Sequence, residues 1–155
     1  MMRFSLAALV AVAGLMPTAA TAQATMNHVA INVTDQARSV AYYEQAFGLS
    51  EIPAPLNAAP GHPRWMRLGN GVELHIQAIK VPFTPPPRII HFALTVKDLD
   101  PVIAYLKKTG RTWTDYAGKV GEINRTRTDG VRQIFTKDPD GYWVEVNDAA
   151  NRPPR

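Results

Sequence analysis

Hydrophobic and polar residues alternate along two short stretches of the chain, and the two stretches resemble each other closely. The first, HVAINVTD, begins at His28, and the second, HFALTVKD, begins at His91, 63 positions further on. Alternation with a period of two, in residues that favour extended backbone, predicts a strand with one buried face. Each stretch therefore predicts a strand that starts at a histidine and ends before an aspartate.

A helix is predicted after each of these strands. Behind Asp35, apolar residues recur at spacings of three and four as far as Phe47, and Gly48 follows where helices commonly end. In the second copy, Pro101 is a residue type favoured in the first turn of a helix, and Gly110 marks the end. The order strand, then helix, is thus repeated once along the chain.

Several short strands are predicted after each helix. They lie near 51–52, 64–68 and 72–79 in the first copy, and near 111–116, 122–126, 131–136 and 142–146 in the second. The dipeptides Asn70-Gly71 and Asp140-Gly141 are typical of tight hairpin turns. The predicted fold class is α+β, with two β-α-β-β-β modules that pair to form a cupped sheet, because neither module buries enough surface alone.

These elements divide the chain into four parts. We predict one domain over 26–148, in which module one spans 26–80, a proline-rich linker spans 81–88, and module two spans 89–148, followed by a tail at 149–155. Prolines favour an extended linker. Such a linker is long enough for two chains to exchange modules, which would produce a homodimer.

The first 24 residues predict a secretory signal peptide. Arg3 supplies a positive start, 13 mostly apolar residues run from Phe4 to Met16, and small residues precede cleavage points after Ala22 and Ala24. The apolar run is shorter than the roughly 20 residues that a membrane-spanning helix needs. We therefore expect a periplasmic or secreted protein without a membrane anchor.

Composition narrows the class of partner and the available chemistry. The sequence contains no cysteine, which excludes disulfides, thiolate metal ligands and cysteine nucleophiles. The formal net charge is +4, but the basic residues are scattered and form no run of the kind that nucleic-acid-binding surfaces show. A small-molecule substrate is the expected partner, and no nucleic acid is expected.

The repeat brings four metal-ligating residue types into register. When the two hairpin turns are aligned, Gly71–His75 matches Gly141–Glu145, so His75 and Glu145 are equivalent, as the two strand-opening histidines are. If a pseudo-twofold axis relates the modules, all four side chains can converge on it. Three imidazoles and a carboxylate suit Zn²⁺, Fe²⁺, Ni²⁺ or Mn²⁺. The predicted ligands of this divalent ion are His28, His75, His91 and Glu145.

Further candidates surround this set. Glu73 lies two residues before His75 and therefore shares its face of the strand. It is both the competing ligand and the candidate general base. Arg64 and Arg132 are candidates to bind a substrate carboxylate or phosphate, and Trp143 is a candidate pocket wall.

Four segments carry a resemblance to a known family: HVAINVTDQARSVAYYEQAFG, WMRLGNGVELHI, HFALTVKDLDPVIAYLKKTG and RQIFTKDPDGYWVEV. Together they resemble the vicinal oxygen chelate superfamily, which includes glyoxalase I, bleomycin-resistance proteins and extradiol dioxygenases, over residues 26–148. The resemblance implies a glyoxalase-like cup around a divalent metal that chelates neighbouring oxygens of a substrate. It assigns His28, His91 and Glu145 as ligands. Glu73 aligns with a fourth ligand of glyoxalase I, whereas the internal repeat favours His75.

Two functions follow from the resemblance. The first is an exported metal-dependent enzyme that acts on a small oxygen-rich substrate by lyase, isomerase or dioxygenase chemistry. The alternative is a protein of the bleomycin-resistance type, which binds or sequesters a small molecule without catalysis. The ligand set favours the enzyme, because a sequestering cup has no need of three histidines and a glutamate.

Overall fold

The computed structural model describes residues 24–55 and 61–151, and it contains both modules. Module one comprises β1 (His28–Val33), α1 (Gln36–Phe47), β2 (Ser50–Ile52), β3 (Arg64–Gly69) and β4 (Val72–Ala78). Module two comprises β5 (Phe92–Thr95), α2 (Asp100–Lys108), β6 (Trp113–Thr114), β7 (Gln133–Lys137) and β8 (Trp143–Asn147). A short 3-10 turn at Ala149–Asn151 begins the tail.

The two modules have the same sheet topology. Their strand orders are β1-β4-β3-β2 and β5-β8-β7-β6. In each module the first strand runs parallel to the last, and the remaining pairs are antiparallel. The predicted pair of β-α-β-β-β modules and the α+β fold class are therefore confirmed.

Local signals at α1 act as the sequence predicts. The Asp35 carboxylate accepts a hydrogen bond from the Arg38 backbone N–H at 3.1 Å, which satisfies one of the unpaired donors at the start of the helix. Gly48 ends the helix at φ +67°, a conformation that glycine adopts at little cost, and its N–H donates to the Glu44 carbonyl.

Module two departs from the prediction between its helix and its final hairpin. The expected strand at 111–116 is reduced to Trp113–Thr114, and the expected strand at 122–126 is only an isolated bridge between Asn124 and Gln133. The reason is a turn centred on Asp115. Its side chain and carbonyl accept hydrogen bonds from the backbone N–H groups of Lys119 and Gly118, so the chain leaves the sheet here. These two predicted strands were wrong in extent.

The helices lie between the two sheets. Leu74 and Ile76 of β4 and Val144 and Val146 of β8 have no exposed surface and belong to one core that also contains both helices. Across this core, the rings of Tyr42 on α1 and Tyr105 on α2 lie 6.2 Å apart. Because side chains alternate along a strand, the opposite face of each sheet points away from the helices. The two outer faces therefore point away from each other.

A network of hydrogen bonds joins the turn between β7 and β8 to the start of α1. The Asp140 carboxylate accepts from the backbone N–H and hydroxyl of Thr34, the Arg38 guanidinium and the Ser39 hydroxyl at 2.7–2.9 Å. Burial acts to raise the pKa of Asp140, but the hydrogen bonds from Thr34, Arg38 and Ser39 together outweigh it and lower that pKa. This carboxylate therefore fastens module two to module one.

Within the residues that the structure describes, no helix is both long and apolar enough to cross a membrane. The predicted signal peptide lies outside the described residues, apart from Ala24, and so does the end of the tail beyond Asn151.

Candidate metal centre

The strand registers place the predicted ligands of the two modules at matching positions. In module one, His28 lies opposite Glu73, and His75 follows two residues later on β4. In module two, Phe92 lies opposite Val144, so His91 is level with Trp143, and Glu145 follows two residues later. His75 and Glu145 are thus structurally equivalent, and Glu73 is equivalent to Trp143.

In module two, His91 and Glu145 form a preoriented pair of donors. The Arg88 carbonyl, 2.8 Å from His91 Nδ1, can only accept, so Nδ1 carries a proton and Nε2 is the ring nitrogen turned toward Glu145. Asn147 donates to Glu145 Oε1 at 2.9 Å, and Glu145 Oε2 lies 3.4 Å from His91 Nε2. Two ligands that each lie about 2.0–2.2 Å from one ion are at most about 4.4 Å apart. This pair therefore fits a divalent metal in both chemistry and spacing.

In module one, the two histidines are stacked on one another. The rings of His28 and His75 lie 4.2 Å apart with 9° between their planes, and Trp65 covers the other face of His75 at 4.0 Å. His75 Nε2 lies 2.9 Å from Glu73 Oε2. The lone pair of an imidazole nitrogen lies in the plane of its ring, so parallel stacked rings do not direct their lone pairs to one point. In this arrangement His75 is the hydrogen-bond partner of Glu73, and His28 is the histidine of module one that is available as a metal ligand.

The candidate ligands form two half-sites, His28 with His75 in module one and His91 with Glu145 in module two, and these do not meet within one chain. The side chains of His28 and His75 project from the outer face of one sheet, and those of His91 and Glu145 from the outer face of the other. Accordingly, the described part of the chain contains no group of three or more metal-ligating side chains close enough to hold an ion. The predicted set of four ligands remains a prediction.

The predicted substrate-binding residues lie in different environments. Trp143 shares the outer face of β8 with Glu145, and the Lys137 ammonium lies 4.9 Å from its ring centroid. Arg64 lies on the helix side of β3 and donates two hydrogen bonds to Glu51, which lower the pKa of that carboxyl. Only the tryptophan is therefore beside the candidate metal centre.

Arg132 is the other predicted anion-binding residue. Its guanidinium contacts Asp148 at 2.6 Å and Asp98 at 3.1 Å, and the hydrogen bond that Arg132 donates to Asp148 is the main reason that the pKa of Arg132 is raised. The positive charge of Arg132 is therefore neutralised by carboxylates of its own module. Its role in substrate binding stays a prediction.

Sequence reasoning missed Arg88 and Asn147, which hold the donor pair of module two in place. Arg88 stands three residues before His91, at the end of the linker, and its guanidinium lies 5.4 Å from the ring centroid of Phe135 and 5.7 Å from that of Trp143. The available signal was positional, because Asn147 lies two residues after Glu145 and so shares its face of β8.

The chain belongs to the Glyoxalase/Bleomycin resistance protein/Dioxygenase superfamily, whose family model matches residues 25–146. The resemblance inferred from the sequence is thereby confirmed. Superfamily membership defines the class of protein, but members of this class differ in the reaction that they carry out.

Several individual proteins are similar to this chain, and some of them have a named activity. The chain is 24% identical over 132 residues to an iron-dependent extradiol dioxygenase of Rhodococcus jostii strain RHA1, and the match covers 81% of this chain. It covers 43% of the dioxygenase, so the present chain spans less than half of that relative's length. Among solved structures, Oxidase ChaP-H2 is 26% identical with a TM-score of 0.67, and the match covers 85% of this chain and 96% of that one. A glyoxalase family protein from Bacillus anthracis shares the fold, with 23% identity and a TM-score of 0.62. That match covers 81% of this chain and 95% of the other.

Proposed function

We propose that this protein is a metal-dependent oxygenase that acts on a small molecule with neighbouring oxygen atoms. The observation that carries the proposal is the preoriented pair of His91 Nε2 and Glu145 Oε2, 3.4 Å apart. With His28 as a third ligand, the set becomes two histidines and one carboxylate, which is characteristic of non-haem Fe²⁺ oxygenases. The named activities of the dioxygenase and oxidase relatives support the same choice.

A bound Fe²⁺ would supply a Lewis acid with open coordination positions for neighbouring substrate oxygens. The residues of this chain would hold that ion and orient its ligands. Arg88 and Asn147 fix the donor atoms of module two through hydrogen bonds at 2.8 and 2.9 Å. Such outer contacts determine which ring nitrogen and which carboxylate oxygen face the ion.

We propose that the complete site forms between module one of one chain and module two of a second chain. The support is the position of the helices, which separate the two outer faces within a chain. A homodimer of this kind contains two equivalent sites, each with His28 from one chain and His91 and Glu145 from the other. This arrangement produces a homodimer in which the two modules of each chain stay packed together through the contacts of Asp140 with Thr34.

The proposed role of His75 and Glu73 is to move a proton. The Glu73 carboxylate lies 2.9 Å from His75 Nε2 and accepts a hydrogen bond from the N–H at that position. The other ring nitrogen of His75, Nδ1, is then the proton acceptor. Stacking between Trp65 and His28 fixes the ring orientation. The general base is then the pair rather than Glu73 alone, and for His75 to serve as a fourth ligand its ring would have to turn out of the stack.

The test is anaerobic Fe²⁺ binding by the purified protein, followed by oxygen uptake with catechol as the probe. Tight binding of one ion per chain together with oxygen consumption supports the enzyme. If catechol is bound in the presence of iron and oxygen but recovered unchanged, the protein is of the sequestering type. A protein that binds neither Fe²⁺ nor another divalent ion contradicts the proposal.

Export is a separate proposal, supported by the predicted signal peptide at residues 1–24. Fractionation of cells that express the full chain, with N-terminal sequencing of the product, tests it. We expect the product outside the cytoplasm to begin after Ala22 or Ala24. Recovery only in the cytoplasm with Met1 in place would contradict export.

A further inference from the structure

Arg88, the last residue of the linker, carries a positive charge that no described carboxylate neutralises. In contrast to Arg64, Arg127 and Arg132, which contact carboxylates, half-buried Arg88 has no acidic side chain within 4.0 Å among residues 24–55 and 61–151. Its guanidinium donates instead to neutral oxygens: the Thr114 hydroxyl and the carbonyls of Asp115 and Tyr116. A partly desolvated cation without a counter-charge favours an anionic ligand.

The contacts of Arg88 leave the appropriate donors for a carboxylate. Nη1 makes two of the three hydrogen bonds and Nη2 makes one, so Nε–H and one Nη2–H have no partner among the described residues. Nε and Nη2 are the atoms by which Arg64 binds Glu51 and Arg127 binds Asp129 in this same protein. The unused donors of Arg88 therefore match a bidentate carboxylate.

Beside this guanidinium lies a pocket with aromatic walls. It is lined by Arg88, Ile89, His91, Tyr116 and Phe135, and its volume is about 290 Å³. The rings of Tyr116 and Phe135 lie 6.2 Å apart. The rings of His91 and Phe135 meet edge to face, with their centroids 5.3 Å apart. Because a cavity of about 150 Å³ holds benzene, this pocket can hold one ring with its substituents.

We propose that this pocket binds an aromatic carboxylate, with Arg88 as the residue that determines specificity for the acid group. This inference rests on the proposed function for its setting, because His91 forms both a wall of the pocket and part of the candidate metal centre. The ring lies against Tyr116, Phe135 and Ile89, and its carboxylate accepts from Arg88. The substrate class is thus narrowed from a molecule with neighbouring oxygens to an aromatic acid.

The test compares benzoate with benzamide, which has the same shape but no charge, by calorimetric titration of the metal-free full chain. We expect benzoate to bind about tenfold more tightly than benzamide, as charge-assisted hydrogen bonds predict. In Arg88→Gln the preference falls to about one, and Arg88→Lys retains part of it. Lys108→Gln removes an exposed charge at the end of α2 and serves as the matched control, with the preference unchanged.

A second variant separates ring binding from charge recognition. Tyr116 is 64% exposed, so Tyr116→Ala is expected to fold, to weaken both probes and to leave their ratio unchanged. Equal binding of the two probes by the unmodified protein, or an equal loss of both in Arg88→Gln, would overturn the inference. If Fe²⁺ binds and benzoate shows no preference, the inference fails and the proposed function stands. If benzoate is preferred through Arg88 and the protein binds no ion, the inference stands and the proposed function fails.

Discussion

The outer faces of the two modules share one backbone and carry different chemistry. His28 begins β1 and His91 directly precedes β5, and both modules have a polar residue at the same register position of the last strand. In module two that residue is Glu145, whose donor atom faces His91, whereas in module one it is His75, which stacks on His28 and contacts Glu73. Equivalent register positions of the two modules thus hold side chains with different contacts: an imidazole facing a carboxylate in module two, and two stacked imidazoles in module one.

The largest expected effect comes from mixing two inactive chains. His28→Ala and His91→Ala should each lose the tightly bound ion when measured alone. If sites form between chains, random re-association of an equal mixture gives mixed dimers with one intact site each, which is about a quarter of the normal number of sites. Metal analysis after gel filtration measures this recovery. No recovery after unfolding and refolding the two variants together would indicate a site within one chain.

The equivalent residues Glu145 and His75 should differ in their effects on Fe²⁺ affinity and on turnover. We expect Glu145→Ala to weaken Fe²⁺ affinity by more than about 100-fold, because loss of an outer-shell partner alone costs about 10–100-fold. His75→Ala should keep the ion and lose turnover instead. Competition with a metal chelator measures both affinities. Equal losses of affinity would restore the set of four ligands that the internal repeat predicts.

Removal of the contact between the modules should affect stability. Asp140→Asn keeps the shape but weakens hydrogen bonds to a charged group, and we expect a loss of about 2 kcal/mol in the free energy of unfolding. The pKa of Asp140 is lowered in the native state, so its stabilising effect is present above the unfolded-state pKa and is lost as pH falls through the native one. Urea unfolding between pH 2 and 7 tests this. An acid dependence that is as steep in Asp140→Asn as in the unmodified protein would contradict the assignment.

The smallest effect is expected at Asn147, which orients Glu145 without reaching the ion. Asn147→Ala should weaken Fe²⁺ affinity by about tenfold. Gln77, at the equivalent position in module one, donates to backbone carbonyls of Gly61 and Ala78, so Gln77→Ala is the matched control, with affinity unchanged. An equal change in the two variants would mean that Asn147 acts on the fold as a whole.

The parts of the fold that sequence predicted well depend on local signals. The alternation that starts at His28, the carboxylate of Asp35 and the glycine at 48 each act within a few residues, and the structure contains the elements that they predict. The strand expected at 122–126 is reduced to one bridge, between Asn124 and Gln133, because the hydrogen bonds of Asp115 turn the chain out of the sheet before it.

The candidate site was predictable in position and less so in orientation. The repeat placed His75 and Glu145 in the same register, but a spacing does not show whether a ring stacks on its neighbour or turns to a shared point. The outward direction of both faces depends on contacts across more than one hundred residues, such as Thr34 with Asp140. Arg88 was missed because its importance comes from the rings of Phe135 and Trp143, which only the folded sheet brings to it.

In the proposed dimer, the placement of both helices between the sheets makes activity depend on protein concentration. If each complete cup needs two chains, a dissociated chain has two half-sites and no complete one. The fraction of active protein then follows the association equilibrium, and ligands that bridge the two chains stabilise the dimer by mass action. Dilution should therefore reduce specific activity, and added metal should restore it at concentrations where the fold of each chain is unaffected.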